Sequence, residues 1–249
     1  MEFFVPFRNL WIGLGILYYD LLALALRAHL PWLLFMLPWF ILLAALLLNA
    51  LGNPDFAEAV RETSFHPLEL LGLPLLTAVT MAAAGPATAA LYDVTWKLHD
   101  QHQDPSWRGF IQSFRTYFWR GWAIATIDIC AFYALVLAFF FYWNQGELIT
   151  QVVAVMVTYP VIFWFLLQPF LMPALTQLDC SIVQTFRNAA VLAVSSFSVT
   201  IAMLMVTLMA IAVSLVLNFL IFLAAPTALA ICGQLSTRML IERVQGRTY

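Results

Sequence analysis

Charge is what this 249-residue chain lacks most. Only 24 side chains are charged, 11 basic and 13 acidic, or 10%, whereas a soluble domain is about a quarter charged. So few charges cannot supply the polar surface that a soluble protein of this size needs. With 63% hydrophobic residues, the composition predicts an integral membrane protein whose first partner is the lipid bilayer. The net charge of −2 provides no basic surface, so no nucleic acid is expected as a partner.

Cysteine is also scarce, and the common catalytic motifs are missing. Cys130, Cys180 and Cys232 are an odd number, lie far apart and include no Cys-x-x-Cys pair, which excludes a disulfide framework and a redox motif. The sequence contains no P-loop, no His-Glu-x-x-His, no Gly-x-Ser-x-Gly and no Gly-x-Gly-x-x-Gly. We therefore expect no enzymatic activity, no catalytic residue, no cofactor and no bound metal.

Long apolar stretches are abundant. A helix needs about 20 mainly apolar residues to cross roughly 30 Å of hydrocarbon. The last apolar run, residues 189–232, is 44 residues long. A single helix of that length would measure about 66 Å, so we expect the chain to fold back near 209–214. The sequence thus predicts an all-α bundle, one domain over 1–249, with about six transmembrane helices at 30–51, 68–91, 120–143, 148–172, 189–208 and 211–232.

The N-terminal segment differs from these spans. Its apolar stretch 10–26 contains Asp20 beside Tyr18 and Tyr19, which suits a helix lying in the membrane interface. We therefore predict an interfacial helix over 1–29, and a seventh span is the alternative.

The distribution of Lys and Arg predicts the orientation. With six spans, ten of the eleven basic residues fall on one side of the membrane, and only Arg61 falls on the other. Short loops rich in Lys and Arg stay in the cytoplasm. We therefore expect a multi-pass protein with both termini in the cytoplasm.

Similar short sequences recur at the ends of the predicted hairpins. A Phe-Arg pair precedes each hairpin, and a Pro followed by Ala or Thr recurs near the end of each returning helix. These matches indicate three hairpin repeats, over 30–91, 120–172 and 189–232. The alternative is that these residue types are simply common in membrane helices.

A stretch of about 50 residues carries the most specific motifs. The second span ends in Gly85-Pro86-Ala87-Thr88-Ala89-Ala90-Leu91, and Phe114-Arg115 precedes the third span. These motifs resemble the YesL-like family of bacterial integral membrane proteins, a domain of unknown function. The resemblance implies a bacterial plasma membrane protein and structural roles for five residues, namely Gly85, Pro86, Thr88, Phe114 and Arg115.

The same resemblance implies a function. The YesL-like family is associated with carbohydrate uptake, which implies a non-enzymatic component of solute uptake. Other membrane transport components would then be its partners.

Asp128 is the first candidate functional residue. It lies eight residues past Arg120, about 12 Å into the third span, where a charge costs at least a few kcal/mol and needs a partner. One interpretation is a proton- or substrate-binding group on a transport pathway. The other is a carboxyl group that joins two helices.

Three further polar residues lie in predicted spans. Tyr159 and Gln168 stand among three prolines of the fourth span, and Asn218 stands in the last. A helix broken at proline can expose carbonyl groups to a transported ion or sugar, whereas simple kinks and interhelical hydrogen bonds are the alternative. These residues leave a second function open, a small transporter or channel with Asp128 and the fourth span lining its path.

One polar pair is expected outside the hydrocarbon. Asp93 and Lys97 are four residues apart just past the second span, and that spacing favours an ion pair on one helix face.

Overall fold

The structure, a computed structural model, describes residues 25–52, 67–195, 197–216 and 225–244. Within these ranges the chain is helical, with short connections and no strand, which confirms the predicted all-α fold. A π-helical turn, Ala25–His29, comes first. The α-helices that follow in the described residues are α1 (Leu30–Gly52), α2 (Pro67–Gln101), α3 (Trp107–Thr116), α4 (Phe118–Asn144), α5 (Leu148–Leu178), α6 (Ile182–Ser195), α7 (Phe197–Val216) and α8 (Ala225–Val244).

Four of the described helices are long and apolar enough to cross a membrane. They are α1 with its preceding turn, α2, α4 and α5, and they coincide with the first four predicted spans. The bent pair α6–α7 makes a fifth if it crosses as one unit. The predicted span 211–232 includes residues 217–224, which lie outside the described residues, so the count of six stays a prediction.

The position predicted for the fold back, 209–214, is wrong, because α7 continues through these residues. A sharp bend lies earlier in the chain, between α6 and α7, whose directions differ by 103°. Two hydroxyl groups compensate the backbone there: Ser195 donates to the carbonyl of Leu192 at 3.0 Å, and Thr200 donates to the carbonyl of Ala193 at 2.9 Å. Because side chains satisfy these carbonyl groups, the chain bends without Gly or Pro.

α2 lies at the centre of the bundle. It packs against α1, α3, α4, α5 and α8, and half of the residues in its membrane-crossing stretch are buried. Small side chains permit this central position, because they let neighbouring helices approach closely. The buried small residues include Ala84, Gly85, Ala87, Ala89 and Ala90.

α4 and α5 form an outer surface of the bundle. Only 6% of the residues in the membrane-crossing stretch of each helix are buried within the chain. Large apolar side chains such as Ile149, Met156 and Ile162 are exposed on α5. An apolar surface of this extent requires lipid or another apolar partner to cover it.

The predicted interfacial helix over 1–29 lies outside the described residues up to residue 24. The π-helical turn that follows, Ala25–His29, makes hydrogen bonds to distant parts of the chain. Arg27 donates from Nη1 to the carbonyl of Pro105 at 3.5 Å, and the buried His29 has its Nδ1 3.1 Å from Oγ1 of Thr227 on α8. The hairpin repeats over 30–91, 120–172 and 189–232 stay a prediction.

Candidate functional site

Gly85 and Gly121 lie at the closest approach of α2 and α4. A Cβ atom placed on Gly85 would collide with the carbonyl oxygen of Gly121, and one placed on Gly121 would lie 3.0 Å from Cα of Pro86. The absence of side chains therefore brings the two backbones into direct contact. The structure thus places Gly85 and Pro86 of the sequence motif at a helix crossing.

Thr88 and Phe114, two further motif residues, connect α1 to α2 and α3. Trp32 donates from Nε1 to Oγ1 of Thr88 at 3.2 Å, and the Thr88 hydroxyl donates to the carbonyl of Ala84 at 2.9 Å. Phe35 stacks on Phe114 with 4.4 Å between the ring centroids. Both motif residues thus hold helices together.

Asp93 is the centre of a buried polar cluster near the end of α2. Lys97 Nζ lies 2.5 Å from Asp93 Oδ2, which confirms the predicted ion pair. The Ser113 hydroxyl donates to the same carboxylate oxygen at 2.5 Å and accepts from Lys97 at 3.2 Å. Tyr117 donates to the other carboxylate oxygen at 3.5 Å. These contacts fix α3 and the start of α4 against α2.

Ser113 and Tyr117 stand 20 and 24 residues from Asp93 in the sequence, so no local spacing links them to it. The signal that points to them is helical periodicity, since Phe110, Ser113, Phe114 and Tyr117 share one face of a helix. Burial, and then the adjacent Asp93 carboxylate, raises the pKa of Tyr117 above its ordinary value. The phenol therefore keeps its proton and remains a hydrogen-bond donor to Asp93.

Arg120 extends this cluster to the connection between α5 and α6. Its Nη1 lies 2.7 Å from Oδ1 of Asp179, and its guanidinium group lies over the Tyr117 ring, 5.3 Å from the centroid. Asp179 ends α5 in the left-handed conformation, with φ of 45°. An exposed ion pair of this kind contributes little free energy alone, and its main effect is to orient the connection.

Asp128 is paired across helices with Gln168. Gln168 donates from Nε2 to Oδ1 of Asp128 at 3.0 Å, and Trp164 donates from Nε1 to the backbone carbonyl of Asp128 at 3.2 Å. Two hydrogen bonds therefore join α4 to α5 within the apolar part of the bundle. This arrangement is the one expected of a carboxyl group that fastens two helices.

Asp128 and Gln168 also border a cavity of about 240 Å³ between α2, α4 and α5. Thr88 and Tyr92 contribute from α2, and apolar side chains, including Met81, complete the wall. A mainly apolar wall with a few polar groups is typical of small-molecule sites. The geometry therefore fits both interpretations of Asp128, a helix-joining group and a group on a pathway.

The other candidate residues do not join this cavity. Tyr159 is 68% exposed on the outer surface of α5 and is not among the residues that border the cavity. The prolines of the fourth span lie inside α5, which is continuous from Leu148 to Leu178. Asn218 lies outside the described residues. The four candidate residues are Asp128, Tyr159, Gln168 and Asn218, and within the described residues the structure brings together Asp128 and Gln168.

A second buried polar group lies where α2, α5 and α8 meet. Gln234 donates from Nε2 to the carbonyl of Tyr92 at 2.8 Å and to Oγ1 of Thr176 at 2.9 Å. Gln177 donates from its own Nε2 to the backbone carbonyl of Gln234 at 2.8 Å and also to its side-chain oxygen. No sequence pattern marks Gln234, because it lies just past the last predicted span, where a polar residue is ordinary.

Residues 26–139 match DUF624, a protein family of unknown function. The matched segment contains 114 of the 249 residues, just under half of the chain. It covers α1, α2, α3 and most of α4, and so contains the Gly85–Gly121 contact and the Asp93 cluster. Comparison with curated proteins found no match, and comparison with solved structures found none either. The DUF624 segment and the apolar helices together indicate a membrane protein.

Proposed function

We propose that this chain is a non-enzymatic membrane component that assists solute uptake, with carbohydrate as the first class of solute to test. The resemblance of its motifs to the YesL-like family supports this role. The observation that carries it is the position of Gly85, Pro86 and Phe114, which lie at helix–helix contacts within the DUF624 segment. Motif residues at helix–helix contacts maintain one particular fold. A protein that docks to transport components requires such a fixed shape.

Deletion of the gene in its bacterial host tests the proposal. We expect reduced uptake of at least one labelled sugar, because the transport components would lack their partner. The wild-type chain and its Asp128→Asn variant should both restore uptake, since an assisting protein does not need a charge on a pathway. Unchanged uptake of every sugar after deletion would contradict the proposal.

The proposal includes location in the plasma membrane with both termini in the cytoplasm. The basic residues of three separate segments lie at one end of the bundle, which supports this orientation. Lys97 pairs with Asp93, Arg120 with Asp179, and Arg238 of α8 has its Nη1 3.2 Å from Oδ1 of Asp100. All three ion pairs thus stand beside the connections that the distribution of Lys and Arg assigns to the cytoplasm.

Cysteine labelling in intact cells tests the orientation. With the three natural cysteines replaced, Ser106→Cys should react with an impermeant maleimide only after the cells are opened. Ser64→Cys, in the predicted outer loop, should react in intact cells. The reverse pattern would overturn the orientation.

A small transporter or channel is the second candidate function. The cavity bordered by Asp128 and Gln168 favours it, because an acidic side chain beside a cavity within the membrane can bind a proton or a polar solute. Liposomes that contain the purified chain should then show solute flux, and Asp128→Asn should lower it. Met156→Leu, a change on the exposed surface of α5, should leave the flux as it is. Equal flux in liposomes with and without the protein would exclude this function.

A further inference from the structure

α3 has two distinct faces. Phe110 and Ser113 are buried against the bundle, whereas Arg108, Gln112 and Arg115 are exposed on the opposite side. The exposed residues are spaced by four and three positions, so they form one line along the helix. Because α3 stands between two helices long enough to span the membrane, its exposed basic face is close to the end of the apolar region, where lipid headgroups are within reach.

Arg108 and Arg115 are available for an anion from outside the chain. Neither forms an ion pair with any residue that the structure describes, in contrast to Lys97, Arg120 and Arg238. The two arginines are about 10 Å apart along the helix axis. They border a groove of about 480 Å³, and the described residues that line it include no acidic side chain.

Two exposed tryptophans indicate the depth of this groove in the membrane. Trp107, at the start of α3, is 47% exposed, and Trp119, just after α3, is 70% exposed. Tryptophan side chains concentrate at the level of the lipid headgroups, where the ring is partly apolar and the N–H group finds water or phosphate. The two tryptophans, one at each end of α3, therefore support a position of the groove near the lipid headgroups.

We propose that the groove on α3 binds the headgroup of an anionic phospholipid. Arg108 and Arg115 donate charge-assisted hydrogen bonds to the phosphate oxygens, and Ile111 and Trp107 supply apolar contact for the first part of the acyl chains. Charge complementarity decides between lipids, because two positive charges repel the ammonium group of a zwitterionic headgroup. The proposal is independent of the role in solute uptake, since it concerns a surface away from Asp128.

Native mass spectrometry of the full chain tests this site. The protein, in micelles with equal amounts of phosphatidylglycerol and phosphatidylcholine, should retain phosphatidylglycerol preferentially. Each basic residue near an anionic surface contributes roughly fivefold to binding, so Arg108→Gln with Arg115→Gln should lower the preference by about 25-fold. Replacement of both arginines by lysine should keep most of it, because the charges remain.

Arg187→Gln is the matched control. Arg187 is exposed on α6 and, like the two arginines of α3, forms no ion pair with a described residue. This variant should retain the preference of the wild type. An equal loss in Arg187→Gln, or an unchanged preference in a folded double glutamine variant, would overturn the proposal. Displacement of the lipid by inorganic phosphate would also overturn it, because the groove would then be a site for a free anion.

Discussion

At the scale of single residues, the absence of a side chain at Gly85 determines how closely α2 and α4 pack. The contact involves backbone atoms of Gly121, which cannot move aside as a flexible side chain can. A Cβ atom added to Gly85 must therefore push α2 and α4 apart. Small residues have this effect generally in membrane bundles, where close backbone contact replaces the hydrophobic driving force of soluble proteins.

Gly85→Ala should destabilise the protein by about 1–3 kcal/mol, the usual cost of overpacking a tight contact. Thermal unfolding in detergent measures this effect. Gly72→Ala is the control, because Gly72 lies in the same helix and a Cβ atom there meets nothing within 4 Å. Alanine favours a helix over glycine, so the control should be neutral or slightly stabilised, and an equal loss in both variants would contradict the packing argument.

Tyr117 should make stability depend on alkaline pH. Its pKa is raised in the folded protein by burial and by Asp93, so the folded state holds the phenolic proton to a higher pH than the unfolded chain does. The stabilising contribution is complete below the ordinary tyrosine pKa of about 10 and is lost as pH rises through the higher folded value. As pH rises above about 10, the Tm of Tyr117→Phe should therefore fall less than the Tm of the wild type. Parallel curves of Tm against pH for the two proteins would argue against the assignment.

The residues of the candidate site differ in how far the sequence predicts them. Because polar groups in hydrocarbon must be satisfied, the sequence predicts a partner for Asp128 and leaves an interhelical hydrogen bond as one of two alternatives for Gln168. Their pairing with each other depends on the packing of α4 against α5. Ser113 was not expected beside Asp93, because the angle at which α3 turns back onto α2 is set by tertiary contacts that no spacing in the sequence encodes.

At the scale of helices, hydropathy predicts where a helix crosses the apolar region better than how far the helix continues beyond it. The first predicted span, 30–51, agrees with α1, and the predicted start at 148 agrees with α5. Both α2 and α5 continue beyond their predicted ends of 91 and 172. Outside the hydrocarbon the residues become polar while the helix persists, so hydropathy no longer reports it.

The bend between α6 and α7 should depend on the hydroxyl group of Thr200. Thr200→Val removes the hydrogen bond to the carbonyl of Ala193, and a buried unsatisfied group costs about 1–3 kcal/mol. Thr207→Val is the control, because the Thr207 hydroxyl donates to Met203 one turn earlier within α7, where the regular helical bond remains. Chemical unfolding should show a larger loss for Thr200→Val, and equal losses would show that the bend does not rely on this hydroxyl.

At the scale of the whole molecule, several of the described helices continue past the length that a membrane requires. α2 has 35 residues and so measures about 52 Å, against roughly 30 Å of hydrocarbon. Its last turns, α3, and the ends of α5 and α8 therefore form a layer beyond the apolar region. The ion pairs of Lys97, Arg120 and Arg238 lie in this layer, where water lowers the cost of charge.

Gln234 should be important for the whole bundle, because its amide connects α8 to both α2 and α5. Gln234→Leu removes the side-chain hydrogen bonds and should destabilise the protein by about 1–3 kcal/mol. Leu235→Ala, at the exposed neighbouring position, should cost less. Thermal unfolding of the two variants in the same detergent checks the difference, and a larger loss at Leu235 would contradict the connecting role of Gln234.

The bond between Gln234 and Tyr92 also sets a time for assembly. The two residues are 142 positions apart, and at about 5–20 residues per second roughly 7–28 s of synthesis separate them. During this interval α2 lies in the bilayer without the amide that joins it to α8. A chain whose synthesis stops before α8 should therefore be removed by membrane proteases rather than persist as a shorter working protein.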